Sequence, residues 1–175
     1  CCAPFSIQSV DYASWLALAA RNLCLAEEMG LDIMTLCNDC YESLLMVNTI
    51  LKKNPELKNQ VNEILSEVGK EYKGKVDVKN LVDVLYGDVG VSKVKSAITE
   101  PIKGLMVGTQ PGCHLTKPKR IHFELLRGFN ELDALVQATG AESVLYERKE
   151  MCCGGPLRDI NDDLARRISR EKLIA

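Results

Sequence analysis

The chain has 175 residues, of which 46% are hydrophobic and 26% are charged, and its formal net charge is −2. This length can bury a core in one or two domains, and the composition is that of a globular protein. Acidic and basic residues are interspersed, which gives no electrostatic reason to expect nucleic acid binding. No apolar run approaches the roughly 18 residues that a membrane span needs, so no span is expected.

The first predicted element is a long amphipathic helix. Asp11 is a suitable N-cap, and the helix is expected to run to about Met29 and to end at Gly30. Apolar residues at three- and four-residue steps predict its core face. These residues are Tyr12, Trp15, Leu16, Ala19, Leu23 and Ala26.

The rest of the chain alternates between predicted strands and helices. In order, the sequence predicts a strand at 31–36, helices at 41–51 and 56–68, a strand at 74–78, helices at 81–90 and 91–99, a strand at 105–110, a helix at 129–139, a strand at 143–146 and a helix at 159–173. This alternation is typical of βαβ units. We therefore predict an α/β fold of two Rossmann-like βαβ modules, each a parallel sheet flanked by helices, with ligands at the carboxyl ends of strands.

Eight cysteines are many for a chain of this size. They occur as tandem pairs at 1–2 and 152–153, a Cys-x-x-Cys motif at 37–40, and the single residues Cys24 and Cys113. Adjacent cysteines rarely bridge each other, so the pattern favours metal ligation in a reducing compartment, here the cytoplasm, over disulfides. Cys24 lies beside the apolar face of the first helix and is predicted to be a buried core thiol.

Cys37 and Cys40 stand between a predicted strand and a predicted helix. The positive end of the helix dipole favours thiolate over thiol at this place. A pair with this spacing also suits a structural zinc site or a thioredoxin-like dithiol. The additional Cys-Cys pairs fit neither of those alternatives well, and they favour iron–sulfur ligation.

An internal repeat relates the two ends of the chain. Cys1-Cys2-Ala3-Pro4 and the segment 152–156 each precede a predicted helix. The inferred module is Cys, then Cys-Cys, then Cys-x-x-Cys. In the first copy, residues 1–100 with a helical linker, the initial strand and cysteine are missing; in the second, residues 101–175, the Cys-x-x-Cys part is missing. We therefore expect the chain to be a fragment of a longer protein, consistent with its start at Cys1 without Met.

These landmarks resemble the CCG cysteine-rich domain family and, within it, the B subunits of coenzyme B–coenzyme M heterodisulfide reductases. The resemblance covers essentially all of the chain, and six segments carry it. They are 1–4, 15–23, 31–40, 62–72, 111–118 and 151–154.

The resemblance implies a catalytic role in the electron transfer of methanogenesis. Each module of such a protein holds a noncubane 4Fe–4S cluster, and the substrate disulfide is cleaved between the two clusters. Electrons come from a flavin-containing A-type subunit and an iron–sulfur C-type subunit. Carried over to this chain, Cys1, Cys2, Cys37 and Cys40 are ligands of the first cluster, and Cys113, Cys152 and Cys153 are ligands of the second. The fragment alone is expected to be inactive.

The remaining candidates are polar residues near these cysteines. His114, beside Cys113, is expected to bind substrate or to supply a proton, with an ordinary loop histidine as the alternative. His122 is predicted to be solvated. The basic residues of 117–120 are predicted to be a solvated loop, with an anionic substrate as the alternative. The competing function is a non-catalytic electron-transfer or scaffold subunit of another oxidoreductase complex.

Overall fold

A computed structural model describes residues 2–3, 5–116 and 130–174. The chain forms two compact units, Cys1–Leu81 and Val82–Ala175. Both combine helices with a small parallel sheet, which is compatible with the predicted α/β class, while the two Rossmann-like modules stay a prediction. The module boundary predicted at residue 100 concerns the sequence repeat and stays a prediction.

Among its described residues, the first unit contains four helices and two strands. They are α1 (Phe5–Gln8), α2 (Tyr12–Met29), β1 (Ile33–Thr35), α3 (Asn38–Lys53), α4 (Pro55–Ser66) and β2 (Val78–Asn80). The short helix α1 was not predicted.

The long helix α2 begins and ends as predicted. The Asp11 side chain accepts a hydrogen bond from the Ser14 backbone N–H at 3.0 Å, and Gly30 ends the helix in the left-handed conformation with φ 66°. The predicted core face is confirmed except at Tyr12, which is 43% exposed. Tyr12 is the first helical residue, and its ring lies against the ring of Trp15, with 5.7 Å between centroids, instead of entering the core.

Strands β1 and β2 pair in parallel, with Thr35 opposite Asn80 at their carboxyl ends. The strand predicted at 74–78 begins only at Val78. Side chains hold the backbone before it, since Glu27 accepts from the N–H groups of Lys73 and Lys75 at 2.8 and 2.6 Å. Those N–H groups are therefore bound to a carboxylate and not to a strand ladder.

The second unit begins with a helical segment that changes type. A single turn α5 (Leu81–Asp83) crosses the boundary between the units and continues as a π-helix, Val84–Gly90. The other elements are α6 (Val91–Ala97), β3 (Met106–Val107), α7 (Cys113–Thr116), α8 (Glu131–Ala138), β4 (Glu142–Ser143), a 3-10 turn (Gly155–Leu157) and α9 (Asp162–Leu173). Every helix predicted in this unit corresponds to a helical segment of the structure, although the π-helical type of residues 84–90 was not predicted.

Strands β3 and β4 also pair in parallel, with Met106 opposite Glu142 and Val107 opposite Ser143. Both strands are shorter than predicted. The Tyr146 hydroxyl donates a hydrogen bond to the Thr109 carbonyl at 2.9 Å, so a side chain takes the place of a ladder partner there. In the described part of the chain, no helix is both long and apolar enough to cross a membrane.

Candidate metal centres

The structure brings together two cysteines that are far apart in the first unit. The sulfurs of Cys2 and Cys40 are in direct contact as a disulfide, with their Cα atoms 5.3 Å apart and 38 positions between them in sequence. Cys37 is exposed at the N-cap of α3. Cys1 lies outside the described residues. Two of the four predicted ligands of the first site therefore touch, but they do so as a disulfide, whereas the cysteine pattern favoured metal ligation over disulfides.

The buried residue Ser43 fixes the contact between Cys2 and Cys40. Ser43 accepts a hydrogen bond from the Trp15 indole N–H at 3.1 Å, and its hydroxyl donates to the Ala3 carbonyl at 2.7 Å. All three residues are fully buried, and Ala3 is held at φ 56°, which is uncommon for a residue other than glycine. Ser43 follows Cys40 by three positions and so lies on the same side of α3. The bond that holds Ala3 therefore also places Cys2 against Cys40.

The carboxyl end of β2 is hydrogen-bonded to the Cys-x-x-Cys turn. Asn80, 2% exposed, donates from Nδ2 to the Asn38 side-chain oxygen at 3.1 Å, which ties the turn to β2. Its strand partner Thr35 is also buried, and the Thr35 hydroxyl has no hydrogen-bond partner among the described residues.

In the second unit, backbone amides turn toward the tandem cysteines. The N–H of Gly154 donates to the sulfur of Cys152, and the N–H of Gly155 donates to the sulfur of Cys153, both at 3.4 Å. Gly154 has φ +80°, and a Cβ there would lie 2.6 Å from the carbonyl oxygen of Ala165. Glycine is therefore required at this position by both conformation and space.

A buried ionic network holds the segments that lead to these cysteines. The Asp133 carboxylate, on α8, accepts from the Thr109 hydroxyl at 2.7 Å and from the Ser143 hydroxyl at 2.5 Å, and it forms an ion pair with Lys149. Burial would raise the pKa of the Asp133 carboxyl, but the hydrogen bonds from Lys149 and the two hydroxyls outweigh it and hold that pKa below its usual range. Asp133 thus joins the strand before Cys113 to β4 and to the turn before the tandem pair.

A second lysine, Lys172, also fixes the turn before the tandem cysteines. The Lys172 ammonium, on α9, donates to the backbone carbonyls of Arg148, Lys149 and Met151 at 3.0, 2.7 and 2.8 Å. The ammonium also lies 5.6 Å from the centre of the Tyr146 ring. Lys172 was not predicted from the sequence, because a lysine on a polar helix is typical of a solvated face.

Asp133 was missed as well, although its position offered a signal. It interrupts the apolar residues of the segment Leu132-Asp133-Ala134-Leu135. A charged residue on the apolar side of a helix needs a buried partner. That signal could have identified the carboxylate, but it could not have identified Lys149 as its partner.

A cavity of about 550 Å³ lies in the second unit beside Cys153. It is at the carboxyl end of β3 and β4, where ligands of parallel sheets bind. Its lining is Gly108, Gln110, Val144, Tyr146, Cys153, Ser169, Lys172 and Leu173.

The remaining predicted residues are not gathered into one site. Within the described ranges, His, Cys, Asp and Glu side chains form no group of three or more that could hold a metal ion. Cys113 begins α7, with His114 beside it, and both are half-buried. The structure therefore does not bring Cys113 into one ligand group with Cys152 and Cys153. The residues 117–120 and His122 lie outside the described residues.

Cys24 is confirmed as a core thiol. It is 1% exposed, and burial raises its pKa to about 11, with Glu27 and Glu28 adding to the effect. A thiol with such a pKa stays protonated at neutral pH and is a poor metal ligand.

The chain matches the CCG cysteine-rich domain family over residues 1–44 and 107–175. It belongs to this family. The two matched ranges contain all seven of the cysteines predicted as ligands and leave out much of α3, α4 and the segments up to residue 106.

Among proteins of known name, the chain is similar to components of multisubunit reductases. It is 48% identical to the B subunit of the ferredoxin/F(420)H(2)-dependent CoB-CoM heterodisulfide reductase of Methanosarcina acetivorans, over 88% of this chain and 52% of that protein. It is 40% identical to a protein of Archaeoglobus profundus that is named as similar to the B subunit of heterodisulfide reductase, over 99% of this chain and 60% of that protein. It is 33% identical to the 8-methylmenaquinol:fumarate reductase membrane anchor subunit of Wolinella succinogenes, over 88% of this chain and 53% of that protein. The chain thus spans little more than half the length of these relatives.

Proposed function

We propose that this chain is part of the catalytic iron–sulfur subunit of a disulfide reductase, whose substrate is the coenzyme B–coenzyme M heterodisulfide. The observation that carries the proposal is the contact between Cys2 and Cys40, built by Ser43 from parts of the chain 38 positions apart. The similarity to the Methanosarcina protein supports the same reaction class.

The cysteine groups fit an iron–sulfur cluster by their chemistry. Thiolates are the ligands that iron–sulfur clusters use. The N–H groups of Gly154 and Gly155 already point at cysteine sulfurs, and such bonds stabilise negative charge on sulfur. In the reducing cytoplasm that the proposal includes, the Cys2–Cys40 disulfide takes up two electrons and opens to two thiolates. In the proposal, Cys1, Cys2, Cys37 and Cys40 then hold one noncubane 4Fe–4S cluster, and Cys113, Cys152 and Cys153 belong to a second. Each set lies in one Rossmann-like module, residues 1–100 or 101–175.

The chain's own residues would position the ligands and manage protons. When bound, the clusters supply the two electrons that reduction of a disulfide to two thiols consumes. Ser43 holds the first ligand group together, and Lys172 and Asp133 hold the turn before the second. His114, half-buried beside Cys113, is proposed to deliver a proton to a leaving thiolate.

The proposal includes partners and a location. Electrons are expected from a flavin-containing A-type subunit and an iron–sulfur C-type subunit, in the cytoplasm. Residues 1–175 alone are expected to be inactive, because the chain spans about half the length of its relatives.

A second function is favoured by one observation. The Wolinella relative is named as the membrane anchor subunit of a different reductase. A member of this family can therefore belong to a complex with another substrate, and the chain would then be a non-catalytic electron-transfer or scaffold module.

Iron and sulfide analysis with electron paramagnetic resonance (EPR) of the anaerobically purified full-length protein tests the proposal. We expect two clusters, with a spectrum that changes when the heterodisulfide is added. Cys40→Ala and Cys153→Ala are each expected to remove one cluster and therefore about half of the bound iron. Cys24→Ala is the matched control and should keep all of it. A colourless protein that holds only zinc would refute the iron–sulfur assignment, and clusters that ignore the heterodisulfide would favour the scaffold function.

A further inference from the structure

The disulfide between Cys2 and Cys40 and the binding of metal by the same two residues exclude each other. A cysteine ligates metal as a thiolate, and each of these sulfurs is instead bonded to the other. The structure therefore describes the first site in a closed state. When the bond opens, Cys2 and Cys40 join Cys37, which is a free cysteine at the N-cap of α3. The open site then offers three cysteines to a metal in place of one.

The fold keeps the two sulfurs close without the S–S bond. The Cα atoms of Cys2 and Cys40 are 5.3 Å apart, within the range that a disulfide needs. The Ser43 hydroxyl donates to the Ala3 carbonyl at 2.7 Å, and the Trp15 indole N–H donates to Ser43 at 3.1 Å. Neither hydrogen bond involves a sulfur, so breaking the S–S bond leaves both in place. Cys2 therefore stays beside Cys40, in position to close the bond again.

The bond is accessible to a small thiol from solution. Cys2 and Cys40 are both half-buried, whereas the core thiol Cys24 is only 1% exposed. Exchange between thiols and disulfides needs a thiolate to reach one of the two sulfurs. A disulfide in a reducing compartment is usually transient and senses the redox state, and the cytoplasm is the proposed location. The exposure and the location thus both favour a reversible bond over a permanent one.

The tandem cysteines of the second unit differ from this pair. Cys152 and Cys153 are free and exposed, and the N–H groups of Gly154 and Gly155 donate to their sulfurs. Adjacent cysteines rarely bridge each other. Oxidation is therefore expected to close the first site and to leave Cys152 and Cys153 unlinked to each other.

We propose that Cys2 and Cys40 form a reversible redox switch that decides whether the first site can bind metal. To open it, the thiolate of a small thiol attacks one sulfur, so that the Cys2–Cys40 bond breaks and a mixed disulfide forms. A second small thiol then releases the protein sulfur and leaves as a disulfide with the first. Two electrons and two protons thus pass from the small thiols to the pair, and a small disulfide closes it by the reverse steps. The inference rests on the proposed function for the metal that is controlled.

Alkylation and mass spectrometry of the full-length protein, freed of metal by a chelator, test the switch. After equilibration in glutathione buffers without oxygen, we expect Cys2 and Cys40 to be alkylated separately at the reducing end and linked at the oxidising end. Cys37→Ala should form the same linkage. Ser43→Ala should lower the ratio of closed to open pair about two- to tenfold, because the hydrogen bond that holds the Cys2 loop is lost. Ser66→Ala is the matched control and should equal the wild type.

Reconstitution with iron and sulfide distinguishes the switch from the proposed function. The loaded wild type should form about tenfold less of the linkage at the oxidising end, because metal and the disulfide compete for the same sulfurs. Equal linkage in loaded and metal-free protein would refute control of metal binding by the pair. Linkage at every buffer ratio, linkage at none, or a Cys37–Cys40 linkage instead would overturn the switch itself. A protein that takes up no iron refutes the proposed function, and alkylation of its metal-free form still decides whether the pair opens and closes.

Discussion

In the first unit the loop that carries a cysteine pair is fixed by neutral groups, whereas in the second unit it is fixed by buried charges. Ser43 connects Ala3 to α2 and α3 through uncharged hydrogen bonds. Before the second pair, Lys149 is paired with Asp133, and the Lys172 ammonium binds three backbone carbonyls. Two copies of one cysteine pattern are thus positioned by different chemistry.

This difference teaches that the predicted repeat concerns the cysteine pattern in the sequence and not the side chains that hold the cysteine loops in place. Neutral hydrogen bonds respond weakly to pH, whereas a buried ion pair loses its value when one partner loses its charge. The chain's single tryptophan, Trp15, lies in the first unit and reports on that unit by fluorescence. Circular dichroism reports on both units, so the comparison can be tested unit by unit.

The largest loss of stability is expected from Lys149→Met. This change leaves the buried Asp133 carboxylate without its ion-pair partner, and loss of one member of a buried pair costs about 3–5 kcal/mol. Denaturant unfolding followed by circular dichroism should show the loss, while the Trp15 fluorescence transition moves little. The double variant Asp133→Leu/Lys149→Met should recover much of the stability. An equal shift in the Trp15 transition would show that the units do not respond separately.

Gly154→Ala is expected to be the next most damaging change. Its Cβ would meet the Ala165 carbonyl oxygen at 2.6 Å, and the left-handed backbone adds strain, for a cost of about 2–3 kcal/mol. The matched control is Gly69→Ala, which has φ +67° but nothing within 4 Å, and should show only the backbone cost of about 1 kcal/mol. Thermal unfolding measures both, and equal effects would mean that the contact with Ala165 is unimportant.

Ser43→Ala tests the neutral support of the first unit. It leaves the Trp15 N–H and the Ala3 carbonyl buried without this partner, at a cost of about 1–3 kcal/mol. The exposed Ser66→Ala should change stability by less than about 0.5 kcal/mol. Here the Trp15 transition is the informative measurement. A variant as stable as the wild type would show that Ser43 does not hold the loop.

The smallest predicted effect is a decrease in the free energy of unfolding at low pH. Because the pKa of Asp133 is lowered in the folded protein, its contribution to stability is present above about pH 4 and is lost as pH falls through the lowered pKa. The unfolding free energy of the wild type should therefore fall over this range more steeply than that of Asp133→Asn. Parallel curves for the two proteins would contradict the assigned role of Asp133.

Local rules predicted the helices well and the strands less well. The cap at Asp11, the end at Gly30 and the break between the helices predicted at 41–51 and 56–68, which falls at Asn54-Pro55, each depend on a few adjacent residues, and all appear in the structure. The strands are short because side chains from elsewhere, such as Glu27 and Tyr146, bind the backbone beside them. A pattern of neighbouring residues contains no information about such distant partners.

By itself, the sequence determined the boundaries of α2, the core position of Cys24 and the cysteine pattern that marks the family, since each is written in residues close together in the chain. Only the tertiary structure decided that Cys2 meets Cys40, that Ser43 holds them, and that Asp133 pairs with Lys149. These contacts join residues 16 to 40 positions apart. Their partners are chosen by packing, because a buried polar group is stable only where the fold supplies its hydrogen-bond partner.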